Sequence, residues 1–222
     1  MFPKTSLHTL FPTVNFTEIT AIDMSVNSDF FREDPLHENL DLAREKITKF
    51  QNKYPMSLLA NGYLEERAFY NTPNFERTLH GVKEYRNIHL GTDFWLPEST
   101  AVHVPFDGTI VIAHDNNYHK DYGPLLVLKH ETETAPFYTL YGHLSKESLV
   151  ISPKGKNVKQ GELLAYLGSE EENGHWVSHL HFQFITDLLN ETENYNGVAF
   201  PSEIEKWKKL CPNPSVLFEE EF

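Results

Sequence analysis

Cysteine is almost missing from this chain of 222 residues, in which Cys211 is the single example. One cysteine excludes an intrachain disulfide, and it also excludes a closed zinc site built from cysteine pairs. We interpret Cys211 as a small buried hydrophobic residue, because unpaired cysteine behaves as one in most proteins.

Long apolar runs are also missing. No stretch approaches the roughly 18 apolar residues of a membrane-spanning helix. The first twenty residues contain one lysine and are interrupted by Pro3 and Pro12, which does not fit a signal peptide. From the sequence as written we therefore expect no membrane span and a cytoplasmic location, or a periplasmic or extracellular one if another route exports the protein.

Positive charge is scarce: 19 lysines and arginines stand against 32 aspartates and glutamates, which gives a net charge of -13. An acidic surface repels phosphate backbones, so we expect no nucleic-acid partner. It also repels anionic membranes and anionic cell-wall polymers. Hydrophobic residues make up 40% of the chain, which is ordinary for a globular protein with a buried core.

Two helices are predicted near the ends of the chain. Asp34 followed by Pro35 is typical of a helix start, and apolar residues at helical spacing extend the predicted helix over about 35–52. Near the C-terminus, Ser202 and Glu205 have capping-box spacing. An apolar stripe follows them, and the prolines from Pro212 onward end this second helix.

Short apolar runs separated by turns dominate the chain from about residue 100. Such runs predict an antiparallel sheet, arranged as a sandwich or an open barrel. The predicted strands are Ala101–Val104, Thr109–Ala113, Leu125–Lys129, Phe137–Tyr141, Leu163–Leu167 and Leu180–Ile185.

The segment His89-Leu-Gly-Thr-Asp93 combines an imidazole and a carboxylate, both of which bind zinc. Residues four apart in a straight strand are separated by about 13 Å, too far to share one ion. Gly91 permits a bend that would bring the two side chains together. Alone, the segment fits an ordinary surface turn at least as well.

A second segment, His179-Leu-His181, lies in an alternating run that reaches Phe184. Alternation places His179, His181 and Gln183 on one face of a strand, with the two imidazoles about 7 Å apart. One could bind a metal while the other faces the water on that metal. The alternative is a pair of solvent-facing histidines.

A third segment places His143 directly after a glycine at the end of a predicted strand, where it could point into a cleft. Together the three segments offer three zinc ligands and two further imidazoles, which is the pattern of a catalytic zinc with an open position for water. His103 and His130 fit structural positions in strands. Five further histidines have no spacing that would pair them with another metal ligand, and these are His8, His37, His80, His114 and His119.

Five blocks of the chain, in this order, resemble the catalytic domain of the lysostaphin or LytM zinc endopeptidases. They are HLGTDFWLP, VPFDGTIVIA, YTLYGHLS, NVKQGELLAYLG and HLHFQF. The resemblance implies a mainly β fold, an antiparallel β sandwich of the lysostaphin-type peptidase, with helical additions at both ends. It implies that His89, Asp93 and His181 bind one zinc ion per chain and that His143 and His179 assist catalysis.

The resemblance also divides the chain into three parts. Residues 81–190 would form the metallopeptidase domain, residues 1–80 an N-terminal extension that packs on or caps this core, and residues 191–222 a C-terminal helical tail. Before the last block, Trp176 and His175 replace the small residues usual in the family, so we expect them to reshape one wall of the groove.

The implied reaction is zinc-dependent hydrolysis of a peptide bond, with a peptide or a peptidoglycan-derived molecule as substrate. Two alternatives remain open. The domain could bind metal and act as a catalytically silent scaffold. The turn Val158-Lys-Gln-Gly-Glu162 also resembles a lipoyl or biotinyl carrier domain, although such a domain does not account for the histidines.

Overall fold

A single sheet of eight strands organises the computed structural model, which describes residues 2–222. Its strand order is β1-β2-β6-β13-β10-β9-β8-β11. Neighbouring strands pair antiparallel except β1 and β2, which are parallel. The fold is therefore mainly β, as predicted. The strands are β1 (Glu18–Ala21), β2 (Ser57–Asn61), β3 (Glu76–Leu79), β4 (Val82–Tyr85), β5 (Ile88–His89), β6 (Thr92–Trp95), β7 (Ala101–His103), β8 (Gly108–Asn116), β9 (Gly123–His130), β10 (Phe137–Gly142), β11 (Asn157–Val158), β12 (Leu163–Tyr166), β13 (Leu180–Ile185) and β14 (Val198–Ala199).

Three smaller strand pairs and several short helices complete the fold. The pairs are β7 with β12, β5 with β14, and β3 with β4. The helices are α1 (Leu7–Leu10), α2 (Leu40–Gln51), α3 (Lys146–Ile151) and α4 (Ile204–Leu210), with 3₁₀ turns at Ala68–Tyr70, Pro73–Phe75, Pro201–Glu203 and Pro214–Leu217.

Both faces of the large sheet are covered. On one face, Phe182 and Phe184 of β13 pack in the main core with residues of β7 and β12, such as Val102 and Leu164. On the other face, residues of β8, β9 and β10 pack against Trp207 of α4 and against the fully buried Cys211. Because β13 is covered on both faces, its polar side chains are buried with the apolar ones.

The first predicted helix begins later than expected. We predicted its start at Asp34 and Pro35, but α2 begins at Leu40. Asn39 is the N-terminal cap, and its side chain accepts a hydrogen bond from the backbone N–H of Leu42. Asp34 instead accepts from the backbone N–H of Asn39, so its carboxylate stabilises the turn before the helix and not the helix itself.

The predicted capping box of the last helix is wrong. The helix α4 begins at Ile204, after a 3₁₀ turn, and no side chain caps it. The hydroxyl of Ser202 donates a hydrogen bond to Glu84 instead. The hydroxyl of Ser202 is therefore bonded to a residue distant in sequence and does not cap the helix.

Residues before position 80 contribute to the sheet and to the main core. Both β1 and β2 belong to the eight-stranded sheet, where β2 pairs with β6. Leu10 and Phe11, at the end of α1, are fully buried in the main core. The three-part division at 80 and 190 stays a prediction.

Among residues 2–222, none of the helices combines the length and the apolar character that crossing a bilayer requires.

Candidate metal centre

Three of the predicted site residues meet on adjacent strands. His181 on β13 lies directly opposite Asp93 on β6 in the antiparallel register, and facing residues of paired strands have neighbouring side chains. His89 ends β5, just before the chain turns into β6. The sheet topology thus brings together two segments that are far apart in sequence.

Three ligand atoms converge within hydrogen-bonding distance of one another. His89 Nε2 lies 2.9 Å from His181 Nδ1 and 3.3 Å from Asp93 Oδ1. His181 Nδ1 lies 3.1 Å from the same carboxylate oxygen. All three side chains are buried.

The ring protons of His89 and His181 point away from each other, toward other hydrogen-bond acceptors. His89 Nδ1 lies 3.0 Å from the carbonyl oxygen of Gly62 and donates to it. His181 Nε2 lies 3.0 Å from Gln183 Oε1. The amide nitrogen of Gln183 donates to the carbonyl of Asn196 and to Cys211 Sγ, which fixes the amide oxygen toward His181. Both remaining ring nitrogens therefore present lone pairs to the centre.

This donor set fits a divalent cation. Two imidazole lone pairs and a carboxylate oxygen face one another with no proton of their own between them, an arrangement that needs positive charge at its middle. Zinc with bonds of about 2.0–2.2 Å holds tetrahedral ligand atoms about 3.3–3.6 Å apart. The observed distances are equal to the lower value or a few tenths of an ångström shorter.

Gly91 lies in a bend between β5 and β6, where we predicted one, and it is also required for space. A Cβ at Gly91 would lie 2.7 Å from both Nε2 and Cε1 of the His181 ring and 2.7 Å from the carbonyl oxygen of Phe182. Any side chain there would push the imidazole away from Asp93. The break between β5 and β6 at this point allows His89 and Asp93 to approach.

A buried arginine offsets the negative charge of the Asp93 carboxylate. Arg67 Nη1 lies 2.5 Å from Asp93 Oδ2, and Arg67 Nε donates to Glu65. Burial opposes ionisation of Asp93, but the guanidinium of Arg67 outweighs it and holds the pKa of Asp93 well below its ordinary value. The carboxylate is thus ionised, with Oδ1 left for a metal.

The two other predicted residues, His143 and His179, lie beside this centre. The centroids of their rings are 4.4 Å apart. His179 Nδ1 donates to the carbonyl of Val177 at 2.7 Å, and His143 Nδ1 donates to the carbonyl of Asn173 at 2.8 Å. In both rings Nε2 is left without a proton, and that of His179 lies 3.8 Å from Asp93 Oδ1.

The position of His143 depends on an unusual backbone. His143 follows the last residue of β10 with φ at +64°, a conformation that few residues without a special reason adopt. Its backbone N–H donates to the carbonyl of Tyr122, and its own carbonyl accepts from Gly168. These contacts, with Asn173, fix the ring from three directions.

Burial keeps these imidazoles neutral. It lowers the pKa of His89 to about 3, with the charge of Arg67 acting in the same direction. It lowers the pKa of His179 to about 4. Burial and the neighbouring His179 and His181 hold the pKa of His143 well below its ordinary value. At neutral pH these three rings are therefore unprotonated, so His89 has a lone pair for a metal and His143 and His179 each have a lone pair for a proton.

A cleft of about 90 Å³ leads to the centre, with His143 and His181 in its wall. Tyr70 and Phe75, from the segment between β2 and β3, line it together with Tyr122. The ring of Trp176 lies 6.0 Å from that of His143, while the side chain of His175 is exposed.

Three residues that shape the site were not predicted: Arg67, Asn173 and Tyr70. Alternation placed Gln183 on the same face as His179 and His181, but its contact with His181 was not predicted. The others lie in loops that reach the centre only through the tertiary fold, and no local spacing indicates them.

The sequence model of the family described as Peptidase family M23 matches residues 87–195. The chain is 32% identical over 152 residues to the peptidoglycan DD-endopeptidase ShyA of Vibrio cholerae serotype O1, an alignment that covers 64% of this chain and 33% of that protein. It is 33% identical over 122 residues to an uncharacterized metalloprotease of Haemophilus influenzae, covering 54% of this chain and 23% of that protein. The chain thus spans a third or less of the length of each curated relative.

Solved structures of similar proteins include a zinc-containing peptidase from Vibrio cholerae, at 29% identity and a TM-score of 0.37, covering 50% of this chain and 31% of that one. The catalytic domain of lysostaphin from Staphylococcus simulans is similar at 22% identity and a TM-score of 0.41, covering 72% of this chain and 96% of that one.

Proposed function

The chain carries a domain of Peptidase family M23 that spans residues 87–195, and from that premise we propose that it is a zinc-dependent metalloendopeptidase. One observation carries the proposal. Three buried ligand atoms face one another within 3.3 Å, with the ring protons turned away. Two further unprotonated imidazoles lie beside them.

We infer that His89, Asp93 and His181 hold one zinc ion, leaving a coordination position open. When bound there, zinc would supply Lewis-acid polarisation of a carbonyl and lower the pKa of water toward neutrality. Asp93 contributes a negative charge that Arg67 partly offsets. Gln183 and the carbonyl of Gly62 keep the two rings in the tautomers that binding needs.

His143 and His179 would handle protons. Each ring has its Nδ1 proton bound to a backbone carbonyl, so each offers Nε2 as the acceptor. One would take a proton from the attacking water, and the other would return one to the departing amine nitrogen. Because their rings are only 4.4 Å apart, the two can serve the same reacting bond.

We propose peptidoglycan-type peptides as the substrate class. The support is the relative from Vibrio cholerae, which is named a peptidoglycan DD-endopeptidase. Such a substrate would place the working protein outside the cytoplasmic membrane. The net charge of -13 favours short peptides or neutral fragments over anionic wall polymers, since like charges repel.

The alternative is a catalytically silent metal-binding domain with an accessory role. It is favoured by the narrow cleft, where Tyr70 and Phe75 leave about 90 Å³ beside the centre. A scaffold would bind zinc and hold its fold without turning over any peptide. Zinc binding alone therefore does not separate the two functions.

The ligand assignment is tested by zinc content and hydrolysis together. His181→Ala should lose the tightly bound zinc and all zinc-dependent hydrolysis of a peptide library read by mass spectrometry. Gln183→Leu should keep the ligands but weaken zinc binding about 10–100-fold, because the His181 ring loses its acceptor. His114→Ala, outside the centre, is the control. Full retention of the tightly bound zinc in His181→Ala contradicts the assignment.

A further inference from the structure

A second cluster of metal-ligating side chains lies outside the centre described above. Glu38, His119 and His175 come from three different loops, and all three side chains are exposed. His119 Nε2 lies 3.1 Å from Glu38 Oε2, and the rings of His119 and His175 are 5.0 Å apart. One ligand atom from each residue lies within 4.8 Å of the other two.

Each of these exposed residues is adjacent in sequence to a buried one. His37, Lys120 and Trp176 precede or follow the three ligands, and all are almost fully buried. Lys120 Nζ donates to the carbonyl of His37 at 2.7 Å and lies 4.0 Å from the Trp176 ring centroid. The rings of His37 and Trp176 are 5.7 Å apart. The buried residues therefore fix the three loops against one another.

Backbone contacts lock the two loops that carry the histidines. The backbone N–H of Lys120 donates to the carbonyl of Gly174 at 2.8 Å. The loops are so close that a Cβ at Gly174 would lie 1.9 Å from the carbonyl oxygen of Asp121. Lys120 and His175 have φ of +61° and +69°, conformations that persist only where the surroundings enforce them. The ligand side chains thus start from a rigid base.

We propose that Glu38, His119 and His175 form a second zinc site, named here the three-loop site. Two imidazoles and one carboxylate are a ligand set that zinc takes in proteins, with water at the remaining position. Tetrahedral zinc with bonds of about 2.0–2.2 Å holds its ligand atoms about 3.3–3.6 Å apart. Rotations of the three exposed side chains would bring ligand atoms that lie within 4.8 Å of one another to this separation.

Affinity at the three-loop site is lower than at the buried centre. The ligands are solvated before binding, and the ammonium of Lys120, turned inward beneath them, repels a cation. We expect the isolated protein to hold one zinc ion and the three-loop site to fill at micromolar free zinc. The acidic surface of the protein raises the local concentration of cations and assists this filling.

Zinc in the three-loop site would stabilise the loop that holds His143. Asn173, whose carbonyl accepts from His143 Nδ1, lies two residues before His175. The loop that carries Glu38 comes from the N-terminal part of the chain, so the ion would join that part to the loops beside the cleft. A ligand that binds only the folded state also raises the melting temperature.

Titration of zinc-free protein against a chromophoric zinc indicator tests the three-loop site. Wild type should bind two equivalents of zinc, and the second should raise the melting temperature. His175→Asn and Glu38→Gln should weaken the second equivalent at least tenfold and keep the first. The matched control is His80→Asn, another exposed histidine with positive φ, at +52°, where asparagine is also tolerated.

His181→Ala separates the two sites, because it should lose the tight equivalent and keep the weaker one. The proposal is overturned if wild type binds a single equivalent at micromolar zinc. It is also overturned if His175→Asn and Glu38→Gln retain a second equivalent of unchanged affinity. Neither readout depends on peptide hydrolysis, so the proposed peptidase activity is tested separately from the three-loop site.

Discussion

The guanidinium of Arg67 donates a hydrogen bond to the carboxylate of Asp93, with Nη1 2.5 Å from Oδ2 and both side chains buried. The bond joins the loop after β2 to a strand of the metal centre. Gly62 makes room for it, since a Cβ there would lie 2.1 Å from Arg67 Nη2. Arg67 therefore orients Asp93 so that one oxygen faces the centre and the other faces the arginine.

Replacing Arg67 by methionine should destabilise the protein and weaken zinc binding. Removal of one partner leaves Asp93 as an unpaired buried charge, which costs about 3–5 kcal/mol in the free energy of unfolding. Zinc affinity should fall by about tenfold or more, because the carboxylate loses its fixed orientation. Urea unfolding of zinc-free protein and zinc competition measure the two effects.

The exposed pair of Arg32 and Asp29 supplies the control. Arg32→Met should change the free energy of unfolding by less than about 1 kcal/mol, since solvent screens such a pair. If Arg67→Met were as stable as Arg32→Met and bound zinc as tightly as wild type, Arg67 would have no role in the centre.

The first residues of the chain should be required for the stability of the core. Leu10 is fully buried in the main core, so Leu10→Ala should lower the free energy of unfolding by about 2–5 kcal/mol. Deletion of residues 1–16 should leave protein that does not fold. The exposed Thr13 offers a control, and Thr13→Ala should stay within about 0.5 kcal/mol of wild type.

Circular dichroism and urea unfolding check this prediction. A truncated chain that stays folded, binds zinc and unfolds cooperatively would show that the first residues only lie against the core. In that case an increase in its hydrolysis rate would support the capping role that we considered for residues 1–80.

Sequence spacing indicated the ligands but not their supporting partners. The strand Leu180–Ile185 was predicted with its observed bounds, because alternation over six residues is a strong local signal. The segments of His89 and His181 were singled out as zinc-ligand candidates because each contains its own short spacing. Arg67 was missed because its partner Asp93 is 26 residues away. His119 was set aside for the same reason, since its contact with Glu38 spans 81 residues.

His130 should make the zinc-free protein less stable in acid. Its ring is buried, with Nδ1 donating to the carbonyl of Asp107, and burial lowers its pKa to about 4. The unfolded chain takes up this proton below a pH of about 6.5, whereas the folded protein resists it down to about 4. The contribution of His130 is therefore fully present above pH 6.5 and is lost as the pH falls to about 4.

The expected loss is about 3 kcal/mol over that interval, because one pKa unit corresponds to 1.36 kcal/mol. Urea unfolding of zinc-free wild type and His130→Gln at pH 7 and pH 4 measures it. The variant, which cannot titrate at this position, should lose less stability between the two values. An equal loss in both proteins would mean that His130 does not carry this part of the pH dependence.

Peptide hydrolysis by zinc-loaded protein tests the central claim most directly. The measurement is mass spectrometry of cross-linked muropeptides after incubation with wild type, with His143→Ala and with His179→Ala at equal zinc content. We predict cleavage into two peptides by wild type, with the addition of one water. Each variant should keep its zinc and react about 10²–10⁴-fold more slowly. Intact muropeptides after incubation with zinc-loaded wild type, or cleavage by both variants at the wild-type rate, would contradict the account.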